Sequence, residues 1–196
     1  MLFDQPFGGV VPGARGAVLA AMLRTDTPLT GRQIHGLVSD QHSLWTVQEA
    51  LKALAQIGVV SMRIVGRAGI HTINEGHYTV GPLRALVDPI GALTETVRET
   101  VGEEVKAAIL FGSVARGEAR PDSDIDLAVL ASSEWDGRVR LEDAVRTRLG
   151  NNCDVLAFTP ARFTRLARAG EPVVAKILAE GIPLHGSVPR ATRGAA

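Results

Sequence analysis

Asp124 and Asp126 stand one residue apart in DIDLAVL, residues 124–130. A β-strand places residues i and i+2 on one face, so the two carboxylates would point the same way, with Ile125, Leu127 and Val129 opposite. Carboxylate oxygens are preferred ligands of Mg2+, which is usually held by one or two of them together with substrate phosphates. Upstream, Gly112-Ser113 follows the apolar run KAAILF, residues 106–111. Glycine lets a phosphate approach the backbone closely. Ser113 adds a hydroxyl, a helix start there would offer free N–H groups and a positive dipole end, and Arg116 lies one turn on. The chain has no GxxxxGK[ST], which speaks against a Walker-type phosphate loop. Taken alone, Gly-Ser is a common turn and the acid pair could be a solvated strand end. Their combination points to metal-dependent chemistry on a nucleotide.

The elements that must position these groups are legible around them. Asp88-Pro89 suits a helix start, and Ile90, Leu93, Val97 and Val101 give that helix one apolar face. The run 106–111 is nearly continuous in apolar residues, as expected of a central strand covered on both faces. Residues 138–149 predict an amphipathic helix with Val139, Leu141, Val145 and Leu149 inward and Glu142 and Asp143 solvated. Gly150-Asn-Asn then turns the chain into a strand, Cys153 to Phe158, which carries Asp154 in an otherwise apolar setting. A carboxylate so placed is costly unless it is paired, with an arginine for instance, or metal-bound. Thr159-Pro160 begins a further helix.

The whole stretch LFGSVARGEARPDSDIDLAVL resembles the signature of the DNA polymerase β-like nucleotidyltransferases, and among them most the minimal nucleotidyltransferases related to kanamycin nucleotidyltransferase. The match runs through Gly112, Ser113, Ala115, Arg116, Gly117, Ser123, Asp124 and Asp126, and the end of the chain, Pro172 to Gly186, resembles the end of such domains. The resemblance implies an α/β fold of the α+β kind, a mixed sheet flanked by helices. It implies an NTP, ATP foremost, held by Gly112, Ser113, Arg116 and Ser123, with two Mg2+ ions on Asp124 and Asp126. Asp154 would be the third acid, joining the metal site and acting as general base on an acceptor hydroxyl. The implied reaction is transfer of a nucleoside monophosphate to a hydroxyl of a protein, a tRNA or another acceptor. Minimal nucleotidyltransferases often serve in toxin–antitoxin pairs, so a partner toxin is a further expectation.

Ahead of this lies a different pattern. Residues 14–25 place Val18, Leu19, Met22 and Leu23 at helical spacing; Thr30 and Gln33 form a capping-box pattern before Ile34, Leu37 and Val38; Ser43 suits an N-cap before Val47, Leu51, Leu54 and Ile57, with Gly58 as a stop. VVSMRIV, the turn GRAG and IHTINEGHYTV then read as a hairpin. Three helices and a hairpin resemble a winged helix-turn-helix, in which the third helix enters the major groove and the wing reaches the backbone. Carried over, Gln41, His42, Trp45, Gln48 and Lys52 would face DNA, with Arg63 and Arg67 on the wing. Such proteins often act as homodimers. A dimerisation or partner-docking domain of the same fold is the alternative, since Lys52 alone is cationic on that helix.

Composition bounds the rest. Net charge is zero, which excludes a general affinity for nucleic acid or membrane; residues 1–86 hold seven Lys and Arg against five acids. One cysteine, Cys153, excludes an internal disulfide and a cysteine-based zinc cluster and is expected in the core. His35, His42, His71 and His77 match no compact zinc pattern. Without a signal peptide or an apolar run long enough to span a membrane, the chain is expected in the cytoplasm. The expected division is a winged helix-turn-helix at 1–82, a nucleotidyltransferase domain at 83–186 and a disordered tail at 187–196. The competing class is a transcriptional regulator whose second domain senses nucleotide or recruits a partner.

Overall fold

The computed structural model describes residues 3, 5–120 and 123–189, and these form two compact units that divide between Pro89 and Ile90. The first unit contains α1 (Gly13–Thr25), β1 (Leu29–Thr30), α2 (Gly31–Val38), α3 (Leu44–Gln56), β2 (Val60–Val65), β3 (Ala68–Ile73) and α4 (Val80–Val87). α2 and α3 start where the caps are. The Thr30 hydroxyl accepts from the Gln33 N–H while Gln33 Oε1 accepts from the Thr30 N–H at 2.8 Å, and Ser43 Oγ accepts from the Thr46 N–H. Val18, Leu19, Met22 and Leu23 of α1 pack with Ile34 and Val38 of α2 and with Val47, Leu51 and Leu54 of α3.

Two residues expected inside are exposed. Leu37 falls beside the narrow stripe that eight-residue α2 buries, and Ile57 follows the last helical residue of α3, so helical spacing no longer aims it inward.

β2 and β3 form the hairpin around Gly66, whose φ of +62° suits glycine. Two-residue β1 pairs with the other side of β3, giving the order β1-β3-β2; it is too short to leave an alternation pattern. The hairpin's second arm stops at Ile73, because Asn74 turns the chain by donating its backbone N–H to Val59 O and its side chain to Gly58 O. Val80 to Leu83, where the pattern was expected to break, begin helix α4 of the first unit. Pro82 falls in its first turn, where the missing N–H has no helical partner to lose. Arg84 then ties α4 back to Asp26, Glu75 and Leu23 O.

The second unit contains α5 (Pro89–Thr100), β4 (Val105–Phe111), α6 (Gly112–Ala115), β5 (Ile125–Ala131), α7 (Arg138–Leu149), β6 (Cys153–Phe158), α8 (Pro160–Arg168), α9 (Pro172–Glu180) and β7 (Ile182–His185). Its sheet is mixed, in the order β6-β5-β4-β7: β4 is antiparallel to β5 and β7, and β5 is parallel to β6.

Both faces of β4 are covered, as expected of its nearly continuous apolar run. Ala108 and Leu110 join one core with Leu93, Val97, Leu127, Val129, Leu141 and Val145. Ala107, Ile109 and Phe111 join the other with Ala128, Leu130, Phe163, Val174 and Ile177. Val139 is exposed; it lies two residues before the Leu141-Val145-Leu149 stripe and so on the far side of α7. No helix among the described residues is long and apolar enough to cross a membrane. Of the expected tail, 187–189 run without regular structure and 190–196 lie outside the described residues.

Candidate functional site

The site is built at one end of the second unit's sheet. Asp126 sits on β5 with Phe111 of β4 and Asp154 of β6 as its register partners. Adjacent strands lie roughly 5 Å apart, and Asp126 and Asp154 are on the face toward which Ala128, Leu130 and Phe158 pack. Asp124 precedes the first residue of β5 and is exposed. Burial pushes the Asp126 carboxyl above its ordinary value, and the charges of Asp154 and Asp124 push it the same way against the opposing pull of Arg116. Asp154 and Asp124 therefore both act on Asp126.

Gly112 closes β4 with φ +76°, and a Cβ there would overlap Asp126 Oδ2. In the fold it is the Asp126 carboxylate that lies against Gly112, in the space expected to admit a phosphate. α6, which Gly112 starts, is a single turn, so it supplies little of the dipole expected there. The Gly112 N–H is also engaged, donating to Glu180 Oε1 at 3.2 Å.

Arg116 likewise donates to Glu180 Oε1 through Nη1 at 2.8 Å and to Glu118 Oε2 through Nε at 2.7 Å. These hydrogen bonds, Glu118 first, hold its guanidinium in the charged form. Glu180 was missed because it lies far along the chain, at the end of α9, in a stretch whose spacing reads only as a helix end. Ser113 is half-buried in the same turn.

Ser123 Oγ accepts from the Arg120 N–H at 2.8 Å, and its carbonyl accepts from buried Asn151 Nδ2 at 3.2 Å. Asn151 therefore couples the start of β6 to the loop before β5, where the sequence suggested only a turn.

Asp154 is exposed, so the cost of burying a charge, which singled it out in the sequence, does not apply. Nor is it in an ion pair among the described residues: Arg138, on which its field acts, pairs with Glu142 at 2.8 Å. Glu142, expected to be solvated, is mostly covered. It accepts from the Val155 N–H at 3.2 Å and so satisfies an outward-facing donor on edge strand β6. Cys153 is a core thiol, pushed up to about 12 by burial first and then by Glu142 and Asp154.

Among the described residues, no group of three or more His, Cys, Asp or Glu side chains is gathered to hold a metal ion by itself. The donor chemistry nevertheless fits a hard cation. It offers only carboxylate oxygens, from residues two of which are register neighbours, and burial first, then the charges of Asp154 and Asp124, disfavour ionisation of Asp126. A site of that kind needs the phosphate oxygens of a substrate to complete it.

In the first unit, Gln41, Trp45, Gln48, Lys52, Arg63 and Arg67 are exposed and His42 is partly so. A groove of about 870 Å³ between α3, the start of α2 and the hairpin brings Gln48, Lys52 and Arg67 together and adds Arg32, Gln56 and His71, which the sequence had not marked. Gln41, His42, Trp45 and Arg63 do not line it, and no acid does. Burial pushes the His71 imidazole down, and its Nδ1 has no partner among the described residues.

Residues 93–185 match the family described as Polymerase beta, Nucleotidyltransferase. No curated protein matches the chain. Among solved structures, a toxin–antitoxin complex with AMP-PNP is 24% identical, covering 50% of this chain and 74% of that one, with a TM-score of 0.39. The toxin–antitoxin MntA-HepT is 22% identical over 50% of this chain and 70% of that one, with a TM-score of 0.34. The tri-AMPylated HEPN toxin of Shewanella oneidensis in complex with MNT antitoxin gives the same identity, coverage and TM-score.

Proposed function

We propose that the nucleotidyltransferase domain at residues 93–185 transfers a nucleoside monophosphate from an NTP to a hydroxyl of a protein, tRNA or other acceptor. The observation that carries this is the placement of Asp126 in register with Asp154 and against Gly112, with Arg116 close enough to act on the same carboxyl. Gly112, Ser113, Arg116 and Ser123 bind the triphosphate, and Asp124, Asp126 and Asp154 are the residues that would hold Mg2+. Bound there, two such ions would neutralise charge on the attacking and leaving oxygens of an in-line displacement. The acceptor oxygen forms a bond to the α-phosphorus, the bond to the bridging oxygen breaks, and pyrophosphate leaves. Exposed Asp154 takes the acceptor's proton. The motif's resemblance to minimal nucleotidyltransferases favours a partner toxin as acceptor.

The test is incubation with each labelled NTP, Mg2+ and cell extract beside Asp124→Ala. Label should move to an acceptor with the wild type and not with the variant. No transfer from any NTP, with salt-sensitive binding to one duplex, would overturn the reading in favour of a DNA-binding regulator.

DNA targeting is a second part of the proposal, supported by the acid-free groove beside α3. α1, α2, α3 and the β2-β3 hairpin suit a winged helix-turn-helix, with Gln41, His42, Trp45, Gln48, Lys52, Arg63 and Arg67 toward the duplex. Each phosphate contact steepens the salt dependence of binding by about one unit of log–log slope. Lys52→Ala and Arg67→Ala should therefore each flatten it by about one, measured by fluorescence anisotropy on a labelled duplex from 50 to 200 mM salt.

A further inference from the structure

Glu180 is the last residue of α9, and one of its oxygens, Oε1, receives both the Gly112 N–H and Arg116 Nη1. These are two of the four groups that the nucleotidyl-transfer reading assigns to the triphosphate, the others being Ser113 and Ser123. A carboxylate and a phosphate ask for the same thing, N–H donors beside a positive charge. They cannot both have it at full strength, since each is an anion.

The placement is not incidental to the fold. α9 is anchored by Val174 and Ile177 in the core, and Gly181 follows at once; a Cβ at Gly181 would overlap Ile177 O and Ile109 Cγ2. The helix end is thus pressed onto β4, the strand that delivers Gly112, while β7 pairs with β4 just beyond. Glu180 is only 20% exposed in its side chain. A negative charge at a helix C-terminus also opposes the helix dipole. This one is held against that bias by the donors of the candidate phosphate site.

We propose that Glu180 is a built-in competitor for the triphosphate: its carboxylate occupies the phosphate donors Gly112 N–H and Arg116 when the site is empty and must be displaced for an NTP to bind. Arg116 keeps Glu118 as its second partner throughout, so displacement removes one of its two carboxylate contacts. The proposal rests on the nucleotidyl-transfer reading above.

It is tested with inorganic tripolyphosphate and Mg2+ as the probe, which removes any dependence on the base, by calorimetry on the full chain. Glu180→Gln keeps the shape and loses the charge, and Glu180→Asp keeps the charge and shortens the reach. Because a hydrogen bond to a charged group contributes enough to change an equilibrium about tenfold, Glu180→Gln should bind tripolyphosphate about tenfold more tightly than the wild type. Glu180→Asp should fall between the two, and adenosine, which has no phosphate, should bind all three alike. Binding of tripolyphosphate that is unchanged or weaker in Glu180→Gln would overturn the proposal and leave the transfer reading standing, with Glu180 as a support for Arg116. If neither the wild type nor either variant binds tripolyphosphate or any NTP, both fall together.

Discussion

Asp126→Asn is expected to lower nucleotidyl transfer by roughly a hundred- to ten-thousand-fold, the scale of losing several kcal/mol of transition-state charge stabilisation. The same variant should be slightly more stable than the wild type at pH 7 in the absence of Mg2+ and NTP. The sign follows from linkage. The folded Asp126 carboxyl has its value raised above the ordinary 3.8 by burial, Asp154 and Asp124. The folded state then binds more protons than the unfolded one in the window above 3.8, so Asp126's contribution to stability is lost as pH rises through that window. Asparagine has no charge to desolvate or repel. Thermal melts at pH 4 and pH 7 check this: the variant's Tm should exceed the wild type's by a few degrees at most at pH 7 and converge with it near pH 4. Added Mg2+ with tripolyphosphate should raise the wild-type Tm more than that of Asp126→Asn. A variant less stable than the wild type at pH 7 would mean that Asp126 is a structural acid.

The second large effect concerns two glycines of the same motif. Gly112 and Gly117 have φ of +76° and +71°, so alanine at either is strained by about 1–2 kcal/mol. Their surroundings differ. A Cβ at Gly117 meets open space, whereas one at Gly112 overlaps Asp126 Oδ2. Gly112→Ala should therefore lose at least as much stability as Gly117→Ala in urea titrations, while transfer activity falls about a hundredfold or more in Gly112→Ala alone, since misplacing a reacting group by 1 Å costs on that scale. Equal activity losses would mean that backbone strain, and not the approach of Asp126, is what demands glycine at 112.

Much of the second unit was legible because its signals are local. KAAILF predicts a strand covered on both faces and β4 is one; Thr159-Pro160 predicts a helix start and the Thr159 hydroxyl caps α8 by accepting from the Arg162 N–H. Three misplaced residues share a cause. Leu37, Ile57 and Val139 are apolar residues at plausible spacing that the neighbouring elements do not cover, and periodicity says which residues share a face but not how much of that face is used. Val80 to Leu83 read as a break because Gly81-Pro82 is a breaker in most contexts. In the first turn of a helix it is tolerated, and only the contacts of Arg84 with Asp26 and Glu75 show which context applies.

By itself the sequence determined which groups could do chemistry: a Gly-Ser turn, an Asp-x-Asp pair and an arginine at short separations, whose mutual reach is set by a strand, a turn and a loop. Tertiary structure alone decided how they meet. Parallel pairing of β5 with β6 brought Asp154 beside Asp126 from the next strand. Closure of α9 onto β4 brought Glu180 to Gly112 and Arg116 from the far end of the domain. The reason is physical. Contacts within a few residues follow from backbone geometry, which the local sequence carries. Contacts across the sheet follow from which strands pair and which helices cover them, and that depends on how every apolar face in the unit is buried at once.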